Sequence, residues 1–204
     1  MIRYKKFKDY DAYVEKQGGK ITFKLDELKA SSPKRIRKFT QIFTDMKWTL
    51  NKGKILCLGA RTGCEVQAAR NVGFANSLGV DLHPVGDLVV KGDWHDLYFP
   101  DSSYENVFCN SIDHCVDWVK MVDEVHRVLK KDGKFYFLTM RAQAMNTIGP
   151  EWTIETRMAS KPYDAMFWDT ESDLTEVLLK DDLFSRIKIV MDDKYYHAVY
   201  QARK

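Results

Sequence analysis

After Lys52 and Gly53 the sequence alternates short apolar runs with helical stretches, and this rhythm restricts the chain to folds built on a sheet with both faces covered. Strands are expected in KILCLGA, NSLGVDL, DLVVKGD, YENVFCN and GKFYFLTM, with helices in CEVQAARNVG and WVKMVDEVHRVLK between them. Right-handed crossovers follow for strands that run parallel. Beyond a loop-rich stretch after Met140, a helix is expected in ESDLTEVLLKDD and a strand pair in RIKIVMD and YYHAVYQARK, close enough together to form a hairpin.

The N-terminal 50 residues read differently. YDAYVEKQ is expected to form a short helix stopped by Gly18 and Gly19. Ser32 as N-cap and Pro33 at the first helical position then open an amphipathic helix to about Lys47, with Ile36, Phe39, Ile42, Phe43 and Met46 on its apolar face. The basic residues Lys34, Arg35, Arg37 and Lys38 read as its solvated face, with contact to an acidic substrate as the alternative.

Within the alternating region, KILCLGARTGCE runs a buried strand into a glycine loop and then a helix. That geometry brings backbone N–H groups and a positive helix end to a polar or anionic ligand. GARTG alone is also an ordinary tight turn, and G-x-G-x-x-G is absent. Asp81 closes the next strand 22 residues after Gly59, the spacing at which a carboxylate accepts from ribose hydroxyls. Asp93 follows a short strand where it can accept from an exocyclic amine, Trp94 offers an apolar face, and Asn110 and Ser111 end a further strand.

Together these stretches resemble the class I S-adenosylmethionine-dependent methyltransferases, most closely the small type 11-like members, over roughly Lys54 to Met140. The resemblance implies an α/β, Rossmann-like fold with a seven-stranded, mostly parallel sheet, an antiparallel last strand and helices on both faces. It implies S-adenosyl-L-methionine as cofactor. Gly59, Ala60, Arg61 and Gly63 then form the loop under the methionine part, Asp81 and Leu82 hold the ribose region, Asp93 and Trp94 flank adenine, and Asn110 and Ser111 line the reactive end.

The chain departs from the family pattern twice. Cys57 stands where an acidic residue usually organises the loop, and Arg61 replaces the middle glycine. Positive φ is costly for arginine, so ordinary backbone is expected there. Three roles are open to the side chain: a bond to the cofactor carboxylate, a pair with Glu65 four residues on, or solvent; a structural role is favoured over a ligand role.

Methyl transfer from a sulfonium depends on alignment in a dry pocket more than on many catalytic groups. His114, with Asp113 beside it, is the general-base candidate for a hydroxyl or carboxyl acceptor; packing or capping is its plainer reading. Arg141, Trp152, Arg157 and Trp168 are acceptor-pocket candidates in a lid-like insertion at about 141–170, each also readable as a core tryptophan or a solvated arginine. The expected organisation is an N-terminal helical, substrate-side extension (1–50) followed by the methyltransferase domain (51–204).

A net charge of +3 is too small to announce a phosphate-tracking surface, and CNSIDHC is not the Asn-Pro-Pro-Tyr type of motif of nucleic-acid amino-methyltransferases. Paired glutamates for protein arginine methylation are missing at the matching place. A small molecule or a sugar in a glycan is therefore the simplest acceptor class. A cofactor-binding but catalytically silent module or partner subunit is the first alternative, and a nicotinamide-dependent oxidoreductase the second. Four cysteines without a C-x-x-C pair, no apolar leader and no long apolar run are expected of a cytoplasmic protein with reduced thiols and no membrane contact.

Overall fold

The computed structural model describes residues 1–140, 164–193 and 197–204. In chain order it contains β1 (Ile2–Tyr4), α1 (Tyr10–Asp45), β2 (Ile55–Leu58), α2 (Cys64–Asn71), β3 (Leu78–Asp81), β4 (Val89–Lys91) and β5 (Tyr104–Cys109). These are followed by α3 (Trp118–Val128), β6 (Leu129–Met140), β7 (Met166–Trp168), α4 (Glu171–Leu179), β8 (Arg186–Asp193) and β9 (His197–Arg203). Seven strands form one sheet in the order β4-β3-β2-β5-β6-β9-β8. The β2, β3, β4, β5 and β6 pairings are parallel, and β9 runs antiparallel to both neighbours, β6 and β8. This is the α/β, Rossmann-like sheet expected from the sequence. The terminal hairpin forms, and its second strand slots between β6 and β8. β1 and β7 pair separately as a small antiparallel ribbon.

The period of two explains why both faces are covered. Leu56 and Leu58 of β2, Val107 and Cys109 of β5, and Phe135 and Phe137 of β6 point to one side, into a core shared with Trp118, Leu174 and Trp168. The residues between them, Ile55, Cys57, Phe108, Tyr136 and Leu138, point to the other side and meet Phe39, Phe43 and Met46 of α1 and Val66 and Ala69 of α2. Phe43 and Phe108 pack with ring centroids 4.9 Å apart.

The N-terminal region departs from expectation, because the two anticipated helices are one helix of 36 residues that passes through Gly18, Gly19 and Pro33. Asp9 caps it by accepting from the Ala12 N–H at 2.8 Å. Gly18 is the point of closest approach to the loop after β3: a Cβ there would lie 3.0 Å from the His83 imidazole, whose Nε2 lies 2.8 Å from the Val14 carbonyl oxygen. Helical Gly costs about 1 kcal/mol relative to Ala, and this docking outweighs it. Ser31 and Ser32 do not cap a new helix; both hydroxyls donate back to the Leu28 carbonyl, at 3.0 and 2.9 Å, just ahead of the proline that cannot donate.

Because β3 and β5 flank β2 on opposite sides, the chain leaves the sheet in two directions around the end of β2. Open parallel sheets form their ligand crevice at such a point. Gly59, Asp81 and Asn110 all sit at or just beyond strand ends on that edge.

Phe43→Ala should lower stability by about 3–5 kcal/mol, since a fully buried aromatic leaves a cavity between α1 and the sheet. Trp48→Ala, at a residue 74% exposed, should stay within about 0.5 kcal/mol of the parent, and urea titration of both variants reads the difference.

Candidate active site

Gly59 ends β2 with φ +66 and Gly63 precedes α2 with φ +71. At Gly59 the requirement is space as well as conformation, because a Cβ would come within 2.7 Å of both Ser111 Oγ and Trp94 Cζ3. The loop between the two glycines is closed by a Gly63 N–H to Ala60 carbonyl bond of 2.6 Å and tied to β3 by an Ala60 N–H to Val80 carbonyl bond of 3.2 Å.

Arg61 corrects the expectation of ordinary backbone, since its φ is +24. What holds it there is Asp81. The Arg61 N–H donates to Asp81 Oδ2 at 3.1 Å, its Nε lies 3.5 Å from Oδ1, and its carbonyl accepts from the Val85 N–H at 2.7 Å. The His83 N–H adds a 2.8 Å bond to Oδ1, so the carboxylate at the end of β3 organises the loop beside it. The anticipated pairing of Arg61 with Glu65 does not occur.

Glu65 has other partners. Its carboxylate is 1% exposed and receives Arg35 at 3.0 Å and the Asn110 amide at 2.7 Å, both on Oε1. Oε2 is buried with no hydrogen-bond partner among the described residues. Burial pushes the Glu65 carboxyl up from its ordinary range while Arg35 pulls against it. Arg35 is thus not on a solvated face: it crosses from α1 to the start of α2, 3.5 Å from the Thr62 hydroxyl on the way. Burial and the Glu65 charge together raise the Cys57 thiol well above its usual value, so the acid missing from β2 has a counterpart on α2 next to it.

A cavity open to solvent lies at this edge of the sheet. Gly59, Arg61, Asp81, Leu82, Trp94, Ser111 and His114 of the sequence-selected residues line it, together with Val80 and Gly92. Its remaining wall is α1, through Tyr13, Gln17, Leu28 and Arg35, none of which was singled out from sequence as a pocket residue except Arg35 as the less favoured alternative. The signal that could have found them is the mixture of polar and aromatic residues on the first half of α1.

The other selected residues lie behind the lining. Ala60 is fully buried in the core with α1 and α2. Asn110 turns to Glu65 and accepts from the Ser111 hydroxyl at 2.8 Å. Asp93 faces Tyr10 and His95, accepting from the Tyr10 hydroxyl and from the His95 N–H at 2.8 Å, with His95 Nδ1 also at 2.8 Å. Burial pushes the Asp93 carboxyl up, but these His95 and Tyr10 contacts outweigh it and hold it below its usual range. Trp94 Nε1 donates to His95 Nε2 at 3.2 Å, so the indole at the pocket wall is oriented from behind.

His114 ends a short turn after β5. Its carbonyl accepts from Tyr13 of α1 at 3.0 Å, and its Nδ1 lies 3.8 Å from an Asp164 carboxylate oxygen. Asp113, His114 and Asp164 each bring one potential ligand atom within 4.8 Å of the others. Sequence reasoning missed Asp164, which the β7 ribbon delivers through an Ala165 N–H to Asp113 carbonyl bond of 2.7 Å. Trp168 is fully buried in the α3 side of the core and lines no part of the pocket. Arg141, Trp152 and Arg157 lie outside the described residues. All four cysteines are buried free thiols.

The geometry has clear counterparts. Residues 56–137 match the family model described as a methyltransferase domain. The match runs from β2 into β6 and takes in the glycine loop and the end of β3. Among solved structures, an S-adenosylmethionine-dependent methyltransferase from Thermotoga maritima, described as a possible histamine N-methyltransferase, is 18% identical with a TM-score of 0.67, covering 92% of this chain and 99% of its own. The YcgJ protein from Bacillus subtilis is 14% identical with a TM-score of 0.64, covering 81% and 97%. An S-adenosylmethionine-dependent methyltransferase from Mesorhizobium loti is 17% identical with a TM-score of 0.55, covering 74% and 90%. No curated protein matches the sequence. Two of these structures are described as S-adenosylmethionine-dependent methyltransferases, and the residues present here fit S-adenosyl-L-methionine: a glycine cradle that a Cβ would fill, a carboxylate at the end of β3 and an indole wall around one cavity. No helix among the described residues is long and apolar enough to cross a membrane.

Arg35→Ala should destabilise the protein by about 2–3 kcal/mol in urea, because it strands a buried carboxylate. Adding Glu65→Leu to Arg35→Ala should recover part of that loss, a non-additivity that a double-mutant cycle reads directly.

Proposed function

We propose that the protein transfers the methyl group of S-adenosylmethionine to an oxygen or nitrogen of a small molecule or a sugar or glycan acceptor, working in the cytoplasm. The observation that carries this reading is the convergence, on one cavity, of the Gly59 loop, the Asp81 carboxylate and the His114 imidazole. The donor supplies a sulfonium-bound methyl group; the chain supplies alignment, exclusion of water and a base.

In this reading the Gly59, Ala60 and Gly63 backbone seats the methionine part. Asp81, with Leu82 beside it, accepts from the ribose hydroxyls, and Trp94 gives the adenine an apolar wall. Asp93 acts one step behind, fixing His95 and through it the indole. Asn110 and Ser111 shape the reactive end by linking Glu65 to Gly59, whose carbonyl lies 3.4 Å from the Ser111 hydroxyl. His114 takes the acceptor proton, with Asp113 and Asp164 as the carboxylates beside it. The first 50 residues form the acceptor-side wall through α1.

Calorimetric titration with S-adenosylhomocysteine should give micromolar binding to the wild type and at least about tenfold weaker binding to Asp81→Ala, the loss expected for hydrogen bonds to a charged group. Absent binding to the folded wild type would sink the proposal. With an acceptor found by a labelled-methyl screen, His114→Ala should lower turnover by about 10²–10⁴-fold while leaving S-adenosylhomocysteine affinity within a few-fold. Donor binding with no turnover on any acceptor would favour the silent module, for which Cys57 at the position of the loop acid and Arg61 in the glycine loop are the supporting features.

A further inference from the structure

We propose that Arg61 is the built-in counter-ion of the ribose acid and lowers donor affinity, because the donor has to displace its guanidinium from Asp81. The inference rests on the reading of Asp81 as the ribose acceptor. A carboxylate offers about four lone-pair positions, and a vicinal diol asks for one on each oxygen. In Asp81 the Arg61 N–H holds one position on Oδ2 and the His83 N–H one on Oδ1; both are backbone bonds that keep the loop in shape. The second position on Oδ1 faces Arg61 Nε at 3.5 Å. A ribose diol needs that position.

The surroundings explain why the arginine is there. Asp81 and Arg61 are 6% and 13% exposed in their side chains, so without ligand the carboxylate would otherwise stand desolvated in the cavity with no counter-charge beside it. Glu65, the other carboxylate within reach along the chain, is already engaged by Arg35 and Asn110. The contact is also long for a charge-assisted bond, which suits a group that leaves. The Arg61 backbone is held independently at both its N–H and its carbonyl, so the side chain moves without carrying the loop with it. When the competent state requires an open seat, apparent affinity falls by the fraction of molecules in which the seat is open.

The test is calorimetric titration of S-adenosylhomocysteine into wild type, Arg61→Gln and Arg61→Gly, with thermal melting of each protein without ligand. Arg61→Gln removes the charge and keeps a side chain at positive φ; Arg61→Gly removes the side chain and the backbone strain together. Both variants should bind about fivefold or more tightly than wild type, and ligand-free Arg61→Gln should melt below wild type because Asp81 has lost its counter-ion. Weaker binding by Arg61→Gln would make the arginine a donor contact and overturn the proposal, as would unchanged binding. A gain confined to Arg61→Gly would trace the effect to backbone strain and overturn it too. If neither wild type nor variants bind while all remain folded, the reading of the pocket as a donor site fails first, and the proposal with it.

Discussion

The Glu65 carboxylate is buried at the junction of three elements, and much of the site follows from how its charge is met. Arg35 comes from α1, Asn110 from the end of β5, and Glu65 itself from the first turn of α2. A desolvated carboxylate is tolerated only when such partners are held in place, so the pairing ties α1 to the Rossmann-like core alongside the Phe39 and Phe43 packing. The consequence is functional. The helix that neutralises Glu65 also supplies Tyr13, Gln17 and Leu28 to the cavity, so the N-terminal region is a wall of the pocket.

The loop between β2 and α2 is held by residues other than those a glycine-rich loop would use. An acid at the end of β2 would stand where Cys57 now lies buried; the carboxylate next to that thiol comes instead from Glu65, in the first turn of α2. A glycine would take positive φ freely at position 61, whereas arginine takes it because its own N–H and carbonyl are both bonded, to Asp81 and Val85. Asp81 therefore has two tasks, holding the loop and facing the cavity.

The sheet was legible because its signals are local and repeated. Each parallel strand is a short apolar run that both faces bury, so Ile55 to Leu58 and Tyr104 to Cys109 read directly from composition. Gly59 and Asp81 were legible for the same reason, since a strand followed by a glycine and a strand ending in an acid fix positions along one sheet edge. The course of α1 was not legible. Gly18, Gly19 and Pro33 are genuine local breakers, and what overrides them is contact with His83 and the sheet, far away in sequence. The partner of Arg61 was missed because spacing along a helix favoured Glu65, while the fold brings Asp81 nearer and gives Glu65 to Arg35, 30 residues upstream. Asp164 was invisible for a related reason: only the β1 and β7 ribbon brings it to His114.

The central claim is that one pocket is shared by the glycine loop, the end of β3 and the N-terminal helix. Amide hydrogen exchange with and without S-adenosylhomocysteine tests it most directly, because protection maps what the ligand orders. The account predicts slowed exchange in residues 59–65 and 81–83 and, together with them, along α1 between Tyr10 and Arg35. Protection confined to the loop and β3, with α1 exchanging as in the ligand-free protein, would contradict it.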